Sequence, residues 1–225
     1  MARRTILQRF ARWHIWLGWA VAVPVLLWLA SGLFMSAVPI DQVRGGSLRA
    51  EDAAIDGAAL IFPRLPGPVT KVALVSQAGL PTWIVTGADK QPRRYAARDG
   101  APLGEVSEAE ARRIAAAAFA GKDPLTRMQR FSADASPMDL RRPRPSWQAT
   151  FGDGTHIYID AQSGEVLALR TRFWRAYDLM WGIHIMDLQT REDTSNGFLW
   201  VFGGLALISS LFGTALLFRR RKAKR

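Results

Sequence analysis

The sequence predicts an α+β membrane protein in which two apolar helices flank an insert of one or two helix-on-sheet units. Three observations carry that reading: a long uncharged run near each end of the chain, a capped alanine-rich helix in the insert, and period-two alternation after it.

The first run extends from Trp13 to Ile40 without a charge, and Asp41 is the first acid of the chain. At about 1.5 Å per residue it exceeds the ~30 Å hydrocarbon core. A secretory signal has a shorter apolar region of roughly 7 to 15 residues. Residues 13–40 are therefore read as a retained span, although "FMSAVP" loosely resembles a cleavage site. The second run, Thr194 to Phe218, is also uncharged and is followed at once by "RRRKAKR".

The distribution of the net charge of +11 decides its meaning. Arg3, Arg4, Arg9 and Arg12 give the 1–12 tail four positive charges, and the 219–225 tail carries six; neither holds an acid. Between them, 20 Lys and Arg face all 19 Asp and Glu. Basicity confined to membrane flanks follows the positive-inside rule. The expectation is a bacterial inner-membrane protein with both termini cytoplasmic and the insert periplasmic, in contact with lipid and not with nucleic acid. The absence of cysteine removes disulfides, thiolate metal sites and a cysteine nucleophile.

Within the insert, Ser107 followed by Glu110 forms a capping-box pattern that opens an alanine-rich helix reaching about Ala120. Gly121 and Pro124 supply its stop. Downstream, Trp147, Ala149 and Phe151 alternate, and Ile157 and Ile159 repeat the pattern beyond a Gly152-Asp153-Gly154 turn. A β-hairpin is expected there, with a further strand over Glu165 to Leu169.

These residues resemble the PepSY module, a small extracytoplasmic domain with a helix packed on an antiparallel sheet. "YIDAQSGEVLAL" is similar to its closing signature, and the resemblance covers residues 106–170. An earlier copy is expected over residues 41–105. Trp83 and Trp147 are 64 positions apart, Tyr95 and Tyr158 63, and Gly100 and Gly164 64. "LRAEDAAIDGAALIFP" would be the first copy's helix, and Arg98 would stand where Asp160 stands in the second. "ADASPMDLRRPRPSW" reads as an exposed loop.

With its two spans the chain resembles the PepSY-associated transmembrane proteins. Larger relatives include heme b-carrying membrane reductases of ferric siderophores. In that family a His opens the first span before Trp and Gly, as in "WHIWLGW", and a second His precedes the next span, as in "MWGIHIMD". The resemblance thus makes His14 and His184 candidate heme axial ligands. After the second His the relatives have a Gly, where this chain has Met186 and Asp187.

Read from the residues, His14 is either such a ligand, with Gly18 and Ala22 leaving a low surface above it, or part of an interfacial belt with Trp13, Trp16 and Trp19. His184 falls on a stripe with Tyr177, Trp181 and Leu188 in an interfacial helix expected over residues 171–193. The two histidines belong to opposite sides of the bilayer, about 30 Å apart, so one chain cannot put both on one iron. Heme would need a homodimer, a partner subunit, or Met180 or Met186 beside His184.

His156 shares a strand face with Tyr158 and Asp160, with Asp153 in the adjoining turn, and reads as a surface or pairing residue rather than a metal or acid–base site. No phosphate loop, HExxH or nucleophile elbow occurs. Small-residue stripes at Gly18, Ala22, Gly32 and Ser36 and at Gly203, Ala206, Ser210 and Gly213 favour close helix contact and a homo-oligomer or membrane partner. The leading functional reading is non-enzymatic: a membrane protein presenting PepSY units for binding or regulation. The alternative is a heme b component of transmembrane electron transfer linked to iron uptake.

Overall fold

A computed structural model describes residues 2–222. The side chains of Arg3, Arg4 and the 219–225 tail, on which the charge argument leans, lie outside the described residues. The fold is α+β, with two helices apolar and long enough to cross a membrane and two antiparallel sheets. It divides into two compact units, Met1–Pro39 with Ala176–Arg225, and Ile40–Arg175.

In the first unit, α1 runs over Ala2–Ser36, so the expected tail at 1–12 continues the span as helix. A helix already nucleated by a long apolar run extends cheaply through flanking residues that lack breakers. The span stops at Ser36 rather than at residue 40 because Pro39 disfavours helical geometry at Val38. The last long helix, α5, covers Gly197–Lys222 and not 194–218. Its start is fixed by Asn196, whose Oδ1 accepts from Leu199 N at 3.0 Å. α1 and α5 pack together: Phe10 stacks on Phe212 with centroids 5.3 Å apart, and Ser31 and Ser209 are buried. The contacting small residues on α5 are Gly213, a member of the expected stripe, and Ser209, one position from the expected Ser210, while a Cβ at Gly18 or Gly203 would meet nothing within 4 Å.

The expected interfacial helix over 171–193 is shorter, Arg172–His184. Met186 takes a left-handed φ of 57° and ends it. The Asp187 carboxylate then gathers the backbone N–H groups of Gln189, Thr190, Glu192 and Asp193 into a tight turn. Leu188 therefore leaves the predicted stripe. Asp178, which the stripe placed off the buried face, is 5% exposed and pairs with Arg191 at 2.8 Å. Trp181 donates its indole N–H to the Arg191 carbonyl.

The second unit begins with a short helix α2, Ile40–Val43, and two 3-10 turns at Gly46–Leu48 and Gly57–Ala59. The expected helix of the first copy is absent. Its stretch has no capping pair for a full turn, Asp56 spends its carboxylate on Ala58 N, and Pro63 follows. The strands are β1 Val69–Gln77, β2 Leu80–Gly87, β3 Pro92–Ala96 and β4 Pro102–Leu103 in one sheet. A second sheet holds β5 Leu125–Phe131, β6 Ser146–Phe151, β7 His156–Asp160 and β8 Val166–Arg170, each sheet in sequential order. Between them lies α3, Glu108–Ala118.

The two sheets repeat each other in detail. Both first hairpins carry a register shift at the start, between Val69 and Lys71 and between Leu125 and Arg127. At each shift a threonine, Thr70 or Thr126, donates to the carbonyl of Thr86 or Thr150. Trp83 and Trp147 both donate their indole N–H to a lead-in carbonyl, Ile61 or Val106. Gly100 and Gly164 close equivalent turns with φ of 72° and 71°, where only glycine is unstrained. Ile61 and Val106 are 45 positions apart and Thr70 and Thr126 56, and the 11 extra positions equal the length of α3. The second repeat thus holds a helix that the first lacks; in the first, the Pro-rich segment 62–68 takes its place, with Phe62 edge-on to Trp83. The pairings Thr82↔Ala96 and Ser146↔Asp160 also correct the expected alignment: Ala96, not Arg98, is the counterpart of Asp160.

Ala111, Ile114 and Ala115 of α3, with Phe119 beyond it, pack against Ala149, Phe151, Ile157 and Ile159 to form the main core. The loop read as exposed folds back over the other face of the same sheet. Leu140, 1% exposed, joins Tyr158 and Ala168 in a second small cluster.

Candidate functional site

His14 and His184 occupy matching settings in the first unit. The His14 ring projects from α1 so that Nδ1 lies 2.9 Å from the Ser209 carbonyl oxygen and 3.2 Å from its Oγ. At His184, Nδ1 lies 3.2 Å from the Trp28 carbonyl oxygen and 3.2 Å from Ser31 Oγ, and the ring stacks on Trp28 with centroids 5.1 Å apart. A carbonyl oxygen only accepts, so each Nδ1 carries a hydrogen and each neutral ring keeps its lone pair on Nε2. Each ring also rests on a glycine: a Cβ at Gly213 would stand 3.0 Å from His14 Cε1, and one at Gly32 3.1 Å from His184 Cε1.

Anchoring Nδ1 and freeing Nε2 is the arrangement by which outer-shell partners orient metal-ligating histidines. The residues fit one axial bond per ring. They do not fit two bonds to one iron within a chain: Trp28, under His184, is fourteen residues along α1 from His14, about 21 Å of helix rise. That is shorter than the ~30 Å expected from bilayer thickness, and the conclusion stands. A groove of about 540 Å³ opens beside His14, Ile15 and Gly213. Met186 lines a different, apolar groove with Pro24, Ile183 and Phe202.

His156 meets an acid the sequence did not pair with it. Its Nδ1 lies 3.3 Å from Asp139 Oδ2, and the Tyr158 hydroxyl donates to Asp139 Oδ1 at 2.5 Å. Burial pushes the Asp139 carboxyl up, but hydrogen bonds from His156 and Tyr158, with Arg175 nearby, outweigh it and hold the group below the ordinary aspartate value. Burial and the adjacent Asp139 push the Tyr158 hydroxyl far above the ordinary tyrosine value. Asp153 serves its own turn by accepting from Thr155 N, and Asp160 accepts from Gln162 N, Ser163 N and Arg144. Among the described residues no three His, Cys, Asp or Glu side chains form a metal-holding group.

The feature that sequence reasoning missed lies between the first sheet and α3. Arg94, 2% exposed, donates to Glu110 Oε1 at 2.7 Å and Oε2 at 3.0 Å, and also to Gln77 and the Gly104 carbonyl. Gln77 in turn donates to the Ser163 carbonyl at 2.6 Å, which ties the first sheet to a turn of the second. Glu110 was assigned to a capping box; only half of that box forms, since Ser107 accepts from Glu110 N while the carboxylate turns to Arg94. The sequence alignment set Tyr95 over Tyr158; only the strand register, with Ile84↔Arg94 and Gln148↔Tyr158, puts the charged Arg94 at the place of the core residue Tyr158.

Beside this network opens a cleft of about 390 Å³ with contributions from both repeats, among them Leu80, Thr82 and Leu103 from the first sheet and Arg113 and Ile114 from α3. No protein-family model, curated protein or solved structure matches the chain.

Proposed function

We propose that the chain is an inner-membrane protein that holds two PepSY-like units in the periplasm as a binding module. The observation that carries this reading is the cleft of about 390 Å³ built jointly by the first sheet and α3, a volume within the range of small-molecule sites. Charge confined to the tails supports the orientation, and the repeated Trp, Thr and Gly contacts support the kinship of the two units.

The test is native mass spectrometry of the full chain released from its membrane. Ala96→Leu, which fills the cleft from β3, should abolish a co-purifying species that the wild type retains. If the wild-type protein carries nothing that Ala96→Leu removes, the binding reading fails.

A second reading rests on a separate observation, the two histidines with anchored Nδ1 and free Nε2. Heme b bound there would supply one-electron transfer. His14 and His184 would each hold such a group through one nitrogen, with a further ligand from another copy, a partner subunit, or, beside His184, Met180 or Met186. Reduced-minus-oxidised spectra of heme-reconstituted protein test it. His14→Ala and His184→Ala should each remove a separate part of the signal, and a wild type without a Soret band rejects the reading.

A further inference from the structure

Resting on the binding-module reading, we infer that the cleft between the first sheet and α3 takes an apolar monocarboxylate, with its acid group at Arg113 and Arg98 and its body along Leu80, Pro81, Leu103 and Ile114.

The argument turns on which polar groups of the cleft remain available. Gln77 is committed to the Ser163 carbonyl and to Arg94, and Glu110 gives both oxygens to Arg94. Thr82 donates to the Leu80 carbonyl. The deep polar atoms are thus satisfied from within, and the Arg94–Glu110 pair neutralises itself. An extended peptide laid in this cleft would find the buried side chains already committed, and each of its N–H or C=O groups left unmet would cost about 1 to 3 kcal/mol.

The rim differs. Arg113 is exposed and makes no ion pair among the described residues, and Arg98 reaches water with 87% of its side chain exposed and only the neighbouring surface acid Asp99 at 3.1 Å. A guanidinium offers a planar fork matched to a carboxylate. Leu80 and Leu103 are large apolar side chains left 57% and 38% exposed beside that charge. One anionic head on an apolar body with few other polar atoms satisfies both halves of the site. A cation would meet Arg113 without a counter-charge, and a ligand rich in hydrogen-bonding groups would leave many of those groups unpaired.

The experiment is isothermal titration calorimetry on the full chain in phosphatidylcholine nanodiscs, with empty nanodiscs as the blank. The probes are 4-phenylbutanoate, 4-phenylbutan-1-ol and acetyl-Leu-Leu as the free acid. The inference expects 4-phenylbutanoate to bind at least fivefold more tightly than the alcohol and the peptide acid, and less tightly as salt rises. Arg113→Gln, which removes no ion pair of the fold, should weaken the acid at least fivefold and leave the alcohol unchanged. Equal affinity for acid and alcohol, tighter binding of acetyl-Leu-Leu, or an acid affinity indifferent to Arg113→Gln overturns the assigned ligand class and leaves the binding module standing. Absence of binding by every probe also overturns it, while the co-purification test with Ala96→Leu decides the module separately.

Discussion

Arg94 on β3 and Glu110 on α3 form a two-pronged ion pair, at 2.7 and 3.0 Å, with the arginine almost wholly removed from water. Removing one member strands the other. Glu110→Ala should destabilise the unit that holds the two sheets by about 3 kcal/mol, because a buried guanidinium is left without its counter-charge. Replacing both residues by Met should recover most of that loss. Urea unfolding followed by tryptophan fluorescence measures both variants, and an additive double mutant would contradict the pairing.

Acid sensitivity should map to Asp139. Its folded pKa is depressed, so its contribution is present above the unfolded value of about 3.9 and is lost as pH falls through the lower folded value. Asp139→Asn should lower stability at pH 7 and flatten the decline below pH ~4 relative to wild type. Tyr158 acts at the other end: its folded pKa is raised, so its contribution is full below about pH 10 and declines above it. Melting temperatures across pH decide the matter; an Asp139→Asn profile parallel to wild type rejects the assignment.

The turn at Gly154 has φ of 79°, and Arg175 donates to its carbonyl at 2.7 Å. A Cβ there would also meet Arg172 Nε at 2.3 Å, although that side chain can move. Gly154→Val should cost about 1 to 3 kcal/mol, chiefly from backbone strain. Chemical denaturation of the full chain, read at the aromatic signals of the sheet, would show no shift if the turn tolerated a side chain.

Close packing at the first histidine predicts a graded pair of glycine substitutions. Gly213→Ala places a methyl 3.0 Å from His14 Cε1 and should weaken the association of α1 and α5 by about 1 kcal/mol, whereas Gly204→Ala, with open space around it, should be neutral. Unfolding in mixed micelles compares the two. Equal behaviour of both variants would mean that the ring does not rest on Gly213.

Orientation is the last test. A reporter fused after Arg225 should report the cytoplasm, and one inserted near Arg142 the opposite side. A C-terminal reporter exposed outside would reverse the charge argument.

Those expectations that rested on local signals were the legible ones. The Ser107 cap, the alternation of Trp147, Ala149 and Phe151, and the uncharged runs each carry their own physical cause, and α3, the second sheet and two membrane-length helices are present. The misses are tertiary. Nothing within "LRAEDAAIDGAALIFP" reveals that the first repeat lacks a helix or that its Arg94 finds a counter-charge on the helix of the other repeat. The Pro- and Arg-rich loop looks solvated until Leu140 and Asp139 are seen on the sheet. His14 and His184 stand out in the sequence, but the Ser209 and Trp28 carbonyls beside their rings lie 195 and 156 positions away.

The ion pair that ties the first sheet to α3 also sets an order of biogenesis. Chains emerge from the ribosome N-terminus first. The first sheet is therefore synthesised with Arg94 already in place while its counter-ion, sixteen residues later, is still to come. Until α3 appears, that half holds a guanidinium bonded to Gln77 and the Gly104 carbonyl but without its counter-charge. A fragment ending before Ser107 keeps only the Gln77 and Gly104 partners of Arg94 and should be less stable than the whole unit, so the first sheet depends on a residue translated after it.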